Sequence, residues 1–122
     1  MITAETRWRD IYNKLKEHNI PVYSPGQKTG ECKKPYVVVK TAGRTGLTSV
    51  SSSQDLYDIM CYVPINQYST LDVFISEVES AMDELFPMFR PVHYRTPSYL
   101  DDEIKAHMVS TQYVNYVKNT RR

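Results

Sequence analysis

The first part of the chain places its apolar side chains at the three- and four-residue spacing of an amphipathic helix. Over residues 4–19 the charged side chains fall mostly on one side and the apolar side chains on the other. The apolar side is formed by Trp8, Ile11, Tyr12 and Leu15. Thr3 is suited to cap the N-terminus of this helix. Because proline restricts the backbone before it, Pro21 is expected to stop the helix at about residue 19.

A second and longer apolar stripe predicts a helix that Pro87 ends. Its side chains are Leu71, Phe74, Ile75, Val78, Met82, Leu85 and Phe86. Ser69 and Asp72 have the spacing of a capping box at its N-terminus. At ~1.5 Å per residue the helix is roughly 25 Å long, which is enough to cross most of a small sheet.

Three segments between these helices have the pattern of strands. Residues 20–23 are expected to be extended, and the β-branched run at 35–41 is typical of a buried strand. Residues 56–63 alternate in two rows, as expected of a strand with two different faces. One row is Tyr57, Ile59, Cys61 and Val63, and the other is Leu56, Asp58, Met60 and Tyr62.

The C-terminal part of the chain predicts two further strands. Residues 92–96 are expected to be extended, and a final strand is expected at about 103–117. This last segment exceeds the usual length of a strand, so we expect a bulge near Ser110. The basic residues of 118–122 then form a short tail.

Two of the connecting segments have the composition of loops. Residues 24–34 contain one proline, two glycines and three lysines and predict a solvated loop. Residues 42–54 are rich in glycine, serine and threonine and predict a long, mobile hairpin tip.

The order of these elements is helix, three strands, helix and two strands. It predicts an α+β fold in a single domain over residues 1–122, with an antiparallel, at most mixed, sheet and both helices packed on one face. The other face and the edges of such a sheet are left open, so a partner subunit could cover them.

The overall composition excludes several classes of protein. Lys and Arg total 15 against 14 Asp and Glu, so the net charge of +1 provides no global field for steering a polyanion or holding a membrane surface. No stretch approaches the ~20 apolar residues of a membrane span, and we expect a soluble protein made in the cytoplasm. The ten tyrosines are unusual, and such side chains suit strand faces and protein interfaces.

The cysteines give no metal or redox motif. Cys32 lies among charged residues in a loop and is expected to be an exposed thiol, whereas Cys61 lies in a strand pattern and is expected to be buried. Neither belongs to a CxxC motif, so we expect no disulfide and no metal ligation.

No pattern in the chain supplies a catalytic site. Residues 26–30 contain two glycines and a lysine but lack the GxxxxGK[ST] spacing of a phosphate-binding loop. His18, His93 and His107 are far apart and pair with no nucleophile in the sequence. The three acids at 101–103 are interpreted as exposed turn residues. We therefore expect no enzymatic activity, no cofactor and no metal.

Basic side chains gather near the two glycine-containing loops. They are Lys28, Lys33, Lys34, Lys40 and Arg44. We expect these residues to flank the same end of the sheet as the two loops and to form one patch that could bind an anion or a nucleic acid. Because the loops lack interleaved exposed aromatic residues, we prefer a charged rim or a protein interface.

Several segments, taken in order, carry a family resemblance. They are NIPVY at 19–23, PYVVV at 35–39, DIMCYV at 58–63, YLDDE at 99–103 and the glycine- and serine-rich tip at 42–54. Together with the two helices and the closing hairpin, they resemble the tail-completion and tail-terminator proteins of long-tailed bacteriophages. This group includes the lambda tail terminator and the tail-to-head joining proteins. The resemblance extends over nearly the whole chain.

The resemblance implies a structural protein of the virion. Such proteins form a six-membered ring at the head-proximal end of the tail tube, stop tube polymerisation and join the tail to the neck. The implied partners are further copies of the chain, the tail-tube protein and a neck or head-closure protein, with no membrane and no small-molecule substrate. Contacts with the tube or neck are expected at Lys28, Lys33, Lys34, Lys40, Arg44 and Thr45, and subunit contacts at Tyr57, Tyr113 and Tyr116.

Other interpretations remain open at this point. A head-closure or connector adaptor protein of the neck is also small and ring-forming. A nucleic-acid-binding α+β module would use the basic residues near the loops. For each of the three tyrosines, packing within the sheet is the alternative to a subunit contact.

Overall fold

The computed structural model describes residues 7–46, 52–92 and 95–118, and at 44–46, 52–53 and 116–118 it describes the backbone alone. Helix α1 spans Trp8–Glu17 and helix α2 spans Leu71–Asp83. Helix α1 ends at Glu17, slightly before the predicted end at about residue 19, and Asn19 has a positive φ of 62° just before Ile20. The expected cap Thr3 lies outside the described residues.

The N-terminus of α2 differs from the predicted capping box. A 3-10 helix, Ile65–Thr70, runs directly into α2, and the capping position Thr70 makes no side-chain cap hydrogen bond. The Thr70 hydroxyl instead donates to the Gln67 carbonyl at 2.7 Å. Helix α2 also ends at Asp83, and the residues up to Pro87 continue as turns, so the predicted C-terminus was wrong.

Six strands form one mixed sheet, so the fold is α+β. They are β1 (Val22–Tyr23), β2 (Tyr36–Gly46), β3 (Ser52–Pro64), β4 (Arg90–Pro91), β5 (Tyr99–Asp101) and β6 (Ala106–Lys118). Their order across the sheet is β1-β2-β3-β6-β4, and β5 also pairs with β6. The β1–β2 pair is parallel and the other pairs are antiparallel.

The β2–β3 hairpin is longer than the hydrophobic pattern indicated. Its pairing runs from Tyr36 opposite Tyr62 to Gly46 opposite Ser53, with a register shift between Thr41 and Gly43. Most of the segment 42–54, predicted as a loop, is therefore strand, and only 47–51 lie outside the described residues. Polar residues can occupy these positions because β3 is hydrogen-bonded to a strand on each side.

The C-terminal part contains three strands where two were predicted. Strand β6 keeps one register against β3 from Ala106 to Lys118, so the bulge expected near Ser110 is not present. The short strands β4 and β5 both pair with β6. Between them, the Val92 and Thr96 amides donate to the Gln112 and Ser110 carbonyls, each at 3.0 Å. Val92 and Thr96 are thereby fastened to the side of β6 away from β3.

The core lies on one face of the sheet. The β3 row of Tyr57, Ile59, Cys61 and Val63 is fully buried. It forms one cluster with side chains from both helices, including Ile11, Leu15, Phe74, Ile75, Val78 and Met82. A smaller cluster on the other face contains Cys32, Tyr36 and Ala106. The two rows of a single strand thus belong to two different clusters.

Candidate interaction surfaces

The predicted basic patch is divided between two ends of the sheet. Loop 24–34 lies at the start of β2, where the Lys28 ammonium is 5.5 Å from the centre of the Tyr36 ring. Arg44 lies eight positions further along β2 than Tyr36, which is roughly 26 Å at ~3.3 Å per residue, and it pairs with Asp55 of β3. The prediction that these residues flank one end of the sheet was therefore wrong.

The parallel pairing of β1 with β2 explains this division. Residues Val22 and Tyr23 align with Val37 and Val38, so the chain must run back to the start of β2 before it can enter that strand. Loop 24–34 makes this return and carries its lysines with it. Of the other expected contact residues, Lys33 and Lys34 are exposed in the loop, and Lys40 is exposed midway along β2 opposite Asp58. Thr45 pairs with Gln54 beyond Arg44.

The tyrosines expected at a subunit contact are mostly in the core. The relative exposure of Tyr57 is 0% and that of Tyr113 is 3%, so neither side chain can reach another subunit. The Tyr57 ring packs edge-on against Phe89 at 5.4 Å, and its hydroxyl accepts a hydrogen bond from the Arg7 amide at 2.8 Å. For these two residues the alternative, packing within the sheet, is correct. The Tyr116 backbone pairs with Gln54, and its side chain lies outside the described part.

A different set of tyrosines lies on the helix-free face. Tyr36 and Tyr62 are opposite each other in register and stack at 4.9 Å with 21° between their planes. Tyr23 packs edge-on against Tyr36 at 5.6 Å. Burial raises the pKa of Tyr36 to about 12 and also raises the pKa of Tyr62. These three residues are called the tyrosine cluster below.

The tyrosine cluster continues across the sheet. Tyr62 is opposite Met108, and Met108 is opposite Tyr99, so aromatic and thioether side chains form a row over β2, β3, β6 and β5. Sequence reasoning placed several tyrosines in strands but did not identify this row. The start of β2, the end of β3 and the start of β6 come together only through the strand register.

The two cysteines are both buried free thiols. Cys61 is fully buried as predicted, and burial raises its pKa. Cys32, predicted to be exposed, has a relative exposure of 2%. Its amide donates to the Ile104 carbonyl at 2.7 Å, and its thiol donates to the Lys34 carbonyl at 3.4 Å. The loop thereby folds Cys32 inward, and burial raises the pKa of its thiol.

A cavity of about 240 Å³ lies between the N-terminal end of α2 and residues 95–98, the segment that precedes β5. Its lining includes Tyr68, Asp72, Arg95 and Val109. Arg95 is already paired, because its guanidinium donates to both carboxylate oxygens of Glu79 at 2.8 and 3.1 Å and lies 3.7 Å from Asp72. Its positive charge is thus already balanced by the carboxylates of Glu79 and Asp72, so it does not provide an anion site.

The two described histidines make contacts within the protein. His18 occupies the C-cap position of α1, and its Nε2 lies 2.9 Å from a Glu84 carboxylate oxygen. The His107 ring packs against Tyr68 at 4.7 Å. Among the described residues, no group of three His, Cys, Asp or Glu side chains could hold a metal ion. His93 lies outside the described residues.

No protein-family model and no curated protein matches the chain. A solved structure, known only by a systematic label, is similar with a TM-score of 0.51 and 14% identity over 93% of this chain and 97% of that chain. At this identity the similarity shows the fold alone. No helix in the described part of the chain is long and apolar enough to span a bilayer.

Proposed function

We propose that this chain is a structural protein of a long-tailed bacteriophage that caps the head-proximal end of the tail tube as a ring. In this role it stops tube polymerisation and joins the tail to the neck. The observation that carries the proposal is the sheet face without helices, where Tyr36 is buried under loop 24–34 but Tyr23 and Tyr62 are half-buried and Tyr99 is exposed. A subunit of a ring between two other assemblies needs such additional contact surface.

The separation of the basic residues also supports this role. A terminator touches the tube on one side and the neck on the other, so it needs two contact regions. Lys28, Lys33 and Lys34 lie in the loop at the start of β2, whereas Arg44 and Thr45 lie far along the hairpin. A lysine-bearing loop at one end of β2 and the residues Arg44 and Thr45 near its other end suit contacts with two assemblies better than one shared patch would.

In the proposed role the protein catalyses no reaction. Its partners are other copies of the chain, six in the ring that the family resemblance implies, together with the tube protein and a neck or head-closure protein. It is made in the host cytoplasm and ends in the virion, at the head-proximal end of the tail. It needs no cofactor, membrane or small-molecule substrate for this role.

A deletion of the gene in the phage tests the proposal. The expected lysate contains filled heads and separate tails, or overlong tubes, and electron microscopy measures both. Adding the purified chain to the lysate should restore joined particles, and heat-denatured chain is the control. Normal infectious particles from the deletion phage would refute the proposal. Immunogold label on the head-closure ring, with tubes of normal length, would assign the chain to the neck adaptor class.

A further inference from the structure

Loop 24–34 is joined to the rest of the protein by few contacts. Cys32 is the only buried residue of the loop. Within the described part of the chain, one backbone hydrogen bond joins the loop to a residue outside it, from the Cys32 amide to the Ile104 carbonyl at 2.7 Å. The bond from the Gln27 amide to the Ser24 carbonyl at 3.0 Å is internal to the loop. A segment with so few buried contacts has a low local stability.

The loop contains two glycines at which its backbone can change direction. The φ angles of Gly26 and Gly30 are 82° and 86°. At neither position would an added Cβ meet another atom, so the backbone conformation alone favours glycine there. Because glycine populates both signs of φ, these positions can change conformation at low cost, whereas β1 and β2 on either side are held by their pairing.

The loop covers one member of the tyrosine cluster on the helix-free face. Cys32, Tyr36 and Ala106 are the buried residues of the smaller cluster, with relative exposures of 2%, 5% and 0%. Tyr23 and Tyr62 both pack against Tyr36 but are only half-buried. The difference follows from the position of the loop, which places Cys32 against Tyr36.

The two cysteines report on two different kinds of opening. Cys61 is fully buried in the core cluster between the sheet and the helices, so a reagent reaches it only when the helices leave the sheet. Cys32 is buried by the loop that carries it, so movement of the loop alone is enough to expose its thiol. One chain thus contains a probe for local opening and a probe for global unfolding.

We propose that loop 24–34 is a strap that opens while the sheet and the helices stay folded, and that its release uncovers Tyr36. In the closed form Tyr36 is hidden beneath the strap. In the open form Tyr36 and Ala106 join the half-buried rings of Tyr23 and Tyr62, so the helix-free face presents a larger apolar surface to a partner. Opening is a property of the free chain and does not depend on the role under "Proposed function".

Labelling of the two thiols in the folded chain tests the strap. A maleimide is added at urea concentrations below the unfolding transition, and mass spectrometry measures the rate at each thiol relative to its rate in the unfolded chain. Cys32 should react at least about tenfold faster than Cys61, with little dependence on urea, because local opening exposes little surface. The Cys61 rate should rise steeply with urea. Equal rates with equal urea dependence would overturn the proposal.

A lysine variant tests the contact between the strap and Tyr36. The Lys28 ammonium lies 5.5 Å from the centre of the Tyr36 ring and favours the closed form. Lys28→Ala should therefore increase the relative Cys32 rate about two- to fivefold. Lys33→Ala is the matched control, because it removes the same charge from an exposed residue beside Cys32, and it should leave the rate unchanged. An equal increase in both variants would contradict this contact.

The chain labelled on Cys32 alone shows what the strap covers. The maleimide adduct is too large for the buried position of Cys32, so it holds the strap open. The pKa of Tyr36 should then fall from about 12 towards its ordinary value of 10.0, because water reaches the phenolate. Absorbance titration against the labelled Tyr36→Phe variant measures this shift, and circular dichroism reports whether the fold is retained. A folded adduct with the pKa unchanged would overturn the proposal, as would an adduct that unfolds.

Discussion

The two faces of β3 have the same backbone but different surroundings. On one face Tyr57, Ile59, Cys61 and Val63 are sealed between the sheet and the helices. On the other face Asp58, Met60 and Tyr62 are half-buried, and no helix covers them. Here Gln112 donates to the Asp58 carboxylate at 2.8 Å, and Tyr62 stacks on Tyr36. The first face holds the fold together, whereas the second has side chains available to a partner.

The largest expected effect is on the helix-covered face. Ile59→Ala removes a fully buried side chain and leaves a cavity, so we expect a loss of ~2–5 kcal/mol in the free energy of unfolding. Urea denaturation followed by circular dichroism measures it. The matched change on the helix-free face, Met60→Ala, should cost only about 1 kcal/mol, because that side chain is half-buried. Equal losses at the two positions would contradict the contrast between the faces.

The tyrosine cluster should have an intermediate effect. Tyr62→Ala removes the stacked partner of Tyr36, and we expect the free energy of unfolding to fall by ~1–2 kcal/mol. Tyr62→Phe keeps the ring and is the control, with an expected change within ~0.5 kcal/mol. If both variants were equally destabilised, the hydroxyl rather than the stacked ring would be the important group.

The last expected effect is a dependence on alkaline pH. The pKa of Tyr36 is raised to about 12 from its ordinary value of 10.0, because burial penalises the phenolate. The folded state therefore binds the phenolic proton of Tyr36 more tightly than the unfolded state does. The contribution of this proton to the free energy of unfolding is fully present below pH 10 and is lost as the pH rises towards 12. Absorbance titration of the phenolates, with Tyr36→Phe as the comparison, measures this. A Tyr36 pKa near 10.0 would show that this face is open to water at the cluster.

Much of the fold can be predicted from short-range pattern. The period of two along 56–63 identified the row that is buried in the core, and the stripe from Leu71 to Met82 identified α2. These signals are local, because each burial pattern repeats within one element. The same locality explains the failures at the polar end of the hairpin. Residues such as Ser53 and Gln54 are strand because β2 and β6 supply hydrogen bonds on both sides.

The candidate surfaces were less predictable, because they depend on contacts between distant residues. Cys32 is buried by a hydrogen bond to Ile104, a residue far along the chain. Tyr57 and Tyr113 have the same residue type as Tyr36 and Tyr62, and only the side of the sheet decides whether a ring joins the core under the helices or the smaller cluster on the other face. Burial on a face depends on what packs against it, and no local pattern records that.

By itself, the sequence determined the α+β class, the main helices and strands and the alternation of their faces, because these follow from periodicities within single elements. The tertiary structure decided which face of the sheet each tyrosine joins, where the basic residues lie and that Cys32 is buried beside Ile104. Strand order and register are set by long-range pairing, which no periodicity within a single element records.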